Sequence, residues 1–251
     1  MRGFVLAAGL GTRLRPLTDV LPKPLVPVAG VPLLQRAIGQ LAAAGVRQVG
    51  VNTFHLGEQV AQFVQDGAHL GVRATVFAEA PAILGTGGGL KNAEAYLRDG
   101  GDAFLLANGD VWHDFDLRAL VAAHRPDALA TLAVCRAPRR PELHQVFIRG
   151  AGGNRGEVAH IRGAPAQAPS DGAVIYSGVG VYSTRLLELL PGGGVEACLV
   201  RQGLVPGLAQ GMRVDTVELP GAWFDCGTRA EVLRASAYAL RGRAAAQAAR
   251  A

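Results

Sequence analysis

Residues 4–27 read FVLAAGLGTRLRPLTDVLPKPLVP. An apolar run stops at a glycine turn, the pattern of a buried strand that delivers a loop to the end of an α/β sheet. Gly9 and Gly11 let the backbone come close to a ligand, and such turns aim N–H groups at phosphates. Arg13 adds a planar donor fork. Lys23, held between Pro22 and Pro24, adds a compact point charge for a second phosphate. The dinucleotide fingerprint G-x-G-x-x-G fails, because Leu14 stands where its third glycine belongs, and G-x-x-x-x-G-K-[ST] does not occur.

Outward from this stretch, short apolar runs alternate with helical patterns, which argues for parallel βαβ units. Strands are expected at 3–6, 48–52, 73–77, 103–107 and 128–135. Helices are expected at 32–44, with proline in its first turn and Gly45 after its end, and at 57–66, 87–97 and 117–124. Further strands are expected at 145–148, 158–161, 177–182 and 213–218, with helices at 186–190, 200–210 and 229–240. Residues 1–240 read as one domain. Residues 136–172, rich in Arg, Gly, Pro and Ala, read as a substrate-side insertion, and 241–251 as an Ala/Arg-rich tail with a frayed helical extension.

The chain has 251 residues, 49% of them hydrophobic, enough for one globular core. No run approaches the roughly 18 apolar residues of a membrane span. The sequence starts directly on a strand, with no signal peptide expected. Cys135, Cys198 and Cys226 lie far apart and form no metal spacing, so a reduced, cytoplasmic protein is expected. The net charge of +5 does not imply nucleic acid, because the arginines are dispersed apart from Arg136, Arg139 and Arg140. Lysine is scarce: only Lys23 and Lys91 occur, and a site that needs a compact ammonium resists exchange for arginine.

Open α/β sheets bind ligands beyond the carboxyl ends of their strands. Four stretches fall at such ends: Ala7–Arg13, Asn52–Leu56, Asn108–Trp112 and Asp225–Thr228. Asp110 and Asp225 are two carboxylates from separate strand ends that would face a triphosphate, a donor set suited to Mg²⁺. An Asp after a strand is otherwise a turn former or helix cap.

The pattern L-A-A-G-x-G-T-R followed by P-K-P-x-x-P resembles the nucleotide-binding signature of the sugar-1-phosphate nucleotidyltransferases, and the resemblance extends to about Leu240. It implies a Rossmann-like three-layer sandwich with a mostly parallel mixed sheet, of the nucleotide-diphospho-sugar transferase type. It implies in-line attack of a sugar 1-phosphate on the α-phosphorus of an NTP, with pyrophosphate leaving. Catalysis then rests on positioning and charge neutralisation. Arg13, Lys23, Asp110 and Asp225 would be catalytic, with the metal on Asp110 and Asp225.

Ala7, Ala8, Gly9, Gly11, Thr12, Arg13, Lys23, Gly85 and Thr86 would bind the nucleotide. Glu79 either accepts from a base N–H or is a solvated loop acid. The run Gly85–Gly89 would allow close approach to the base, with Lys91 capping that wall. Asn108, Trp112, Arg162, Ser177 and Gly178 would meet the sugar phosphate, Trp112 either by stacking on the sugar or by packing beneath the loop. Asn52 and His55 resemble an N-x-x-H-L segment of one branch. The family's glutamate-lysine-proline segment is replaced by His160–Pro165, so Arg162 or Arg155 would take the acceptor phosphate.

The compact branch includes N-acetylmuramate-1-phosphate uridylyltransferases and mannose- or heptose-1-phosphate guanylyltransferases. The resemblance therefore implies UTP first and GTP next, with a phosphocholine cytidylyltransferase and a non-catalytic nucleotide-sugar sensor as alternatives. A monomer or small homo-oligomer is expected, with no nucleic-acid or membrane partner.

Overall fold

A computed structural model describes residues 1–136, 145–165 and 169–248. Arg139 and Arg140 of the small basic cluster, and parts of the 136–172 and 241–251 segments, lie outside the described residues. The first half runs β1 (Arg2–Leu6), a hairpin β2 (Pro27–Val28) and β3 (Val31–Pro32), α1 (Leu33–Ala43), β4 (Gln48–Thr53), α2 (Gly57–Val64), β5 (Arg73–Ala78), α3 (Gly85–Asn92), α4 (Glu94–Arg98) and β6 (Ala103–Asn108). It continues through β7 (Val111–His113), α5 (Leu117–Ala123), β8 (Ala130–Cys135), β9 (Val146–Gly152), β10 (Arg155–Ile161), β11 (Gly172–Ser183) and α6 (Leu186–Leu189). A wide π-type turn at Leu199–Leu204 then enters α7 (Val205–Ala209), and β12 (Val214–Glu218), β13 (Trp223–Asp225) and α8 (Arg229–Ala248) complete the chain.

Nine strands form one sheet in the order β5-β4-β1-β6-β11-β8-β12-β10-β9. Strands β5, β4, β1 and β6 are parallel, as the βαβ pattern requires. β11 enters antiparallel between β6 and β8 and makes the sheet mixed. The strands read as continuous apolar runs because both faces are covered. Phe4, Phe104 and Leu106 face a core with Leu90, Leu97 and Leu204, while Val5 and Leu105 face the opposite core with Leu34, Ile38 and Leu120. The result is the expected three-layer sandwich.

The structure departs from the sequence reading in places with physical causes. The 136–172 stretch contributes β9 and β10 to the main sheet through β12, and β9 pairs in turn with the start of β11. The expected helix at 87–97 breaks at Ala93 into α3 and α4. The expected helix at 200–210 begins as a π-type turn, since Pro206 has no N–H to donate to the preceding turn. α8 runs without a break across residue 240 to Ala248, consistent with the high helix propensity of its alanines.

Candidate active site

The loop after β1 is held by a chain of buried hydrogen bonds. The Ala7 N–H donates to Asn52 Oδ1 at 2.7 Å, and Asn52 Nδ2 donates to Glu79 Oε1 at 2.7 Å. Glu79 Oε2 accepts from the Leu84 N–H at 2.6 Å. Both carboxylate oxygens of this buried residue thus have protein partners. Glu79 is neither a base acceptor nor a solvated loop acid; it ties the end of β5 to β4 and to the start of α3. The glycine run serves the same clamp: a Cβ on Gly89 would stand 2.6 Å from Asn52 Nδ2 and 2.8 Å from Glu79 Oε1. Gly87 and Gly88 pack against backbone at 195–199, so of that run Gly85 and Thr86 line the cavity beneath the first loop.

A cavity of about 160 Å³ lies against this clamp. Ala7, Ala8, Gly9, Lys23, Asn52, Gly85 and Thr86 line it, together with Asn108 and Asp110. Leu6, Pro24 and Ile83 also line it and were missed, though Pro24 sits beside Lys23 in the signature. Gly11, Thr12 and Arg13 lie outside it. Gly11, at φ +64°, turns the chain so that its carbonyl accepts from the Thr18 hydroxyl at 2.8 Å. His55 Nε2 lies 2.7 Å from the Thr18 carbonyl and braces the same loop from α2's entry.

A second cavity of about 320 Å³ adjoins the first, and Asn108 and Asp110 line both. Its wall includes Arg13, Arg162, Ser177, Gly178 and Asp225. Lys23 Nζ donates to Asp110 Oδ2 at 2.6 Å, with the Lys23 side chain 8% exposed and that of Asp110 36%. Arg13, 63% exposed, stands 3.8 Å from Asp225 Oδ2. β7 and β13 bring the two acids together: Asp225 pairs with Val111, and the Cys226 N–H donates to the Asp110 carbonyl at 3.2 Å. Cys226 is inert here, since burial and then the Asp110 carboxylate push its thiol up to about 12.

Four expectations need correction. Trp112 does not face the sugar side; it is buried against Phe224 and Tyr238, with the Arg36 guanidinium 4.2 Å from its ring centroid. Strand alternation explains this, because Trp112 and Phe224 share one face of the β7–β13 pair while Asp225 and Trp223 take the other. Trp223 lines the sugar-side cavity and donates its Nε1–H to the Ser177 carbonyl at 2.8 Å. That position was legible two residues before Asp225. The Ser177 hydroxyl points inward and donates to the Ala133 carbonyl at 2.8 Å. Lys91 caps no wall: its ammonium donates to the Leu187 carbonyl and pairs with Glu94 at 2.7 Å. Arg155 lies on β10 facing a different cavity, which leaves Arg162 as the one of the two on the wall of the second cavity. Val111, Gln145, Ile175 and Tyr176 complete the wall and had no sequence signal of their own.

Two adjoining cavities that share Asn108 and Asp110, one beneath a glycine loop and the other walled by Asp225, give the chain the layout of an α/β enzyme site. The chain belongs to the nucleotidyl transferase family, whose profile matches residues 2–242. It is 32% identical over 248 residues to N-acetylmuramate alpha-1-phosphate uridylyltransferase of Neisseria meningitidis serogroup B, covering 95% of this chain and 98% of the relative. It is also 32% identical over 242 residues to mannose-1-phosphate guanylyltransferase of Mycobacterium tuberculosis, covering 95% of this chain but 64% of the longer relative. A UDP-glucose pyrophosphorylase complexed with UDP-glucose shares the fold with a TM-score of 0.77 at 20% identity, covering 96% of this chain and all of that one. The chain is an enzyme of the sugar-1-phosphate nucleotidyltransferase class. Among the described residues no helix is long and apolar enough to cross a membrane.

Proposed function

We propose that this enzyme transfers a uridylyl group from UTP to an N-acetylated sugar 1-phosphate such as N-acetylmuramate 1-phosphate, releasing pyrophosphate. The observation that carries the two-substrate reading is the meeting of the cavities at Asn108 and Asp110. A nucleotide against Ala7–Gly9 and Thr86 and a sugar phosphate against Ser177–Gly178 would bring their reacting phosphates together there. The choice of sugar rests on the relative that matches nearly end to end. Transfer from GTP to mannose 1-phosphate is the second reading, supported by the equally identical mycobacterial relative. With both Glu79 oxygens engaged, the carboxylate that would have favoured guanine is no longer available. The base is then selected by the backbone of the first loop and of Gly85–Thr86.

Asp110 and Asp225 fit a divalent cation. Both line the larger cavity, and their side chains are 36% and 29% exposed. Two carboxylates leave the remaining positions to phosphates and water, as Mg²⁺ prefers. Bound there, the ion would withdraw charge from the phosphates of both substrates. Lys23, nearly buried, supplies a fixed positive charge at the junction, and exposed Arg13, on the wall of the larger cavity, would meet the charge of a departing pyrophosphate. Residues 1–240 act as one catalytic unit on this reading, and a cytoplasmic role in cell-surface sugar synthesis follows from the substrate.

Pyrophosphate release, measured for UTP, GTP, CTP, ATP and dTTP against N-acetylmuramate, glucose and mannose 1-phosphates, tests it. UTP with the N-acetylated sugar should lead. GTP with mannose 1-phosphate leading would replace it with the second reading.

A further inference from the structure

A chamber of about 500 Å³, larger than the sugar-side cavity, lies beyond it. Gln145, Arg162 and Tyr176 line both spaces, so the chamber opens from the place where the acceptor would sit. Its inner wall is largely apolar, with Val146, Ile161 and Leu204 among the lining side chains, and Arg201 stands in it.

Two arginines line this space, Arg162 and Arg201. Arg98, Arg149 and Arg213 each hold a carboxylate. Arg162 and Arg201 have none among the described residues. Arg162 donates through Nε to the Gln145 side-chain oxygen. Arg162 also holds a left-handed backbone, φ +51°, rare for a residue with a side chain. A tight turn enforces it, with the Ile161 N–H donating to the Ala164 carbonyl and the Ala164 N–H to the Ile161 carbonyl, both at 2.9 Å. Strain of this kind persists where the surroundings over-determine it, and here it fixes an uncompensated guanidinium at the doorway between two cavities. An apolar chamber lined by two cations with no carboxylate partner among the described residues suits an anion on an apolar stem.

We infer that the acceptor is an acidic sugar, a 1-phosphate whose ring carries a carboxylate on a short alkyl stem, and that Arg201 holds that carboxylate inside the chamber with Arg162 at its entrance. This rests on the proposed transfer to a sugar 1-phosphate and narrows it to acceptors with a second negative charge. N-acetylmuramate 1-phosphate, with its lactyl ether, has this form; N-acetylglucosamine 1-phosphate is the same sugar without that ether. Arg201 is exposed, so its replacement leaves the core intact.

The test compares these two acceptors with the whole protein and UTP. The wild type should favour the acidic sugar in kcat/KM by about tenfold or more. Arg201→Gln should cut that ratio roughly tenfold to a hundredfold, chiefly through KM, as for a lost charge-assisted contact. Arg201→Lys should restore part of it. A ratio that Arg201→Gln leaves unmoved, or a wild type that uses both sugars equally, overturns the inference while nucleotidyl transfer stands. Calorimetric titration of the acidic sugar phosphate separates the other failure. Binding that weakens in Arg201→Gln, with no pyrophosphate released from any NTP, would keep the acidic-ligand chamber and end the transfer reading.

Discussion

Asp110 and Asp225 carry the clearest demand at the level of single residues. Each lies beside a cation, Lys23 at 2.6 Å and Arg13 at 3.8 Å, so an amide in its place loses charge without losing shape. Asp110→Asn and Asp225→Asn should each leave a folded protein with turnover down by about 10²-fold or more. Mg²⁺-dependent turnover near wild type in either variant would remove that residue from the metal site. Glu79 is the contrasting acid. A glutamine there keeps one acceptor and turns an NH₂ toward either the Leu84 N–H or the Asn52 amide. Glu79→Gln should cost about 1–3 kcal/mol in denaturant unfolding, the penalty of a buried unpaired donor. It should leave the UTP-to-GTP preference unchanged. A preference that moves while stability does not would return Glu79 to the base pocket.

His113 decides a pH response at the level of elements, because it stitches β7 to α1 just past Asp110. Its Nδ1 accepts from Gln40 Nε2 at 3.1 Å and from the Phe115 N–H at 3.3 Å, so a proton on that nitrogen would face two donors. Burial, with the Arg36 guanidinium adding to it, pushes the imidazole from 6.5 down to about 3. The native state therefore refuses a proton that the unfolded chain accepts. Stability from this group is complete above pH 6.5 and falls as pH drops toward 3, by up to about 1.4 kcal/mol per unit. In urea unfolding, the loss between about pH 7.5 and pH 5 should shrink in His113→Phe, whose ring keeps the stack on Phe115. Equal losses in both proteins would assign the acid limb to other groups. The same elements mark how far sequence reading reaches. The parallel strands were legible because both-face burial writes continuous apolar runs at Phe4–Leu6 and Phe104–Ala107. The phosphate loop was legible because backbone approach demands glycine at fixed spacing. Trp112 and Glu79 were misplaced because type alone does not say which face of a two-stranded pair a side chain takes, or that a carboxylate finds two internal donors. Gln145, Tyr176 and Ile175 carried no local signal, since long-range pairing of β11 with β8 and β9 brings them to the site.

At the scale of the whole molecule the sheet divides the labour. On the proposed reading strands β5, β4, β1 and β6 would carry the nucleotide, and pairings β11–β8, β8–β12, β12–β10, β10–β9 and β9–β11 run round a closed circuit that would carry the acceptor. Within the sheet the two halves join along β6–β11, in a register that pairs Ala107 with Val179 and brings Asn108 against Gly178. Substitutions should therefore sort by half. Thr86 lines the first cavity while its hydroxyl accepts from the Leu199 N–H at 2.9 Å, and Thr86→Val should raise KM for the NTP severalfold, and raise it more than KM for the sugar phosphate. Arg162 lines only acceptor-side spaces, and Arg162→Ala should do the reverse, by about tenfold or more for loss of a charge-assisted contact. Asn108 lines both cavities at the seam, so Asn108→Ala should raise both constants together. Initial rates over a grid of both substrate concentrations read all three. If Arg162→Ala moved the NTP constant as far as the sugar-phosphate constant, the cavities would act as one undivided site and the seam at β6–β11 would not separate the substrates.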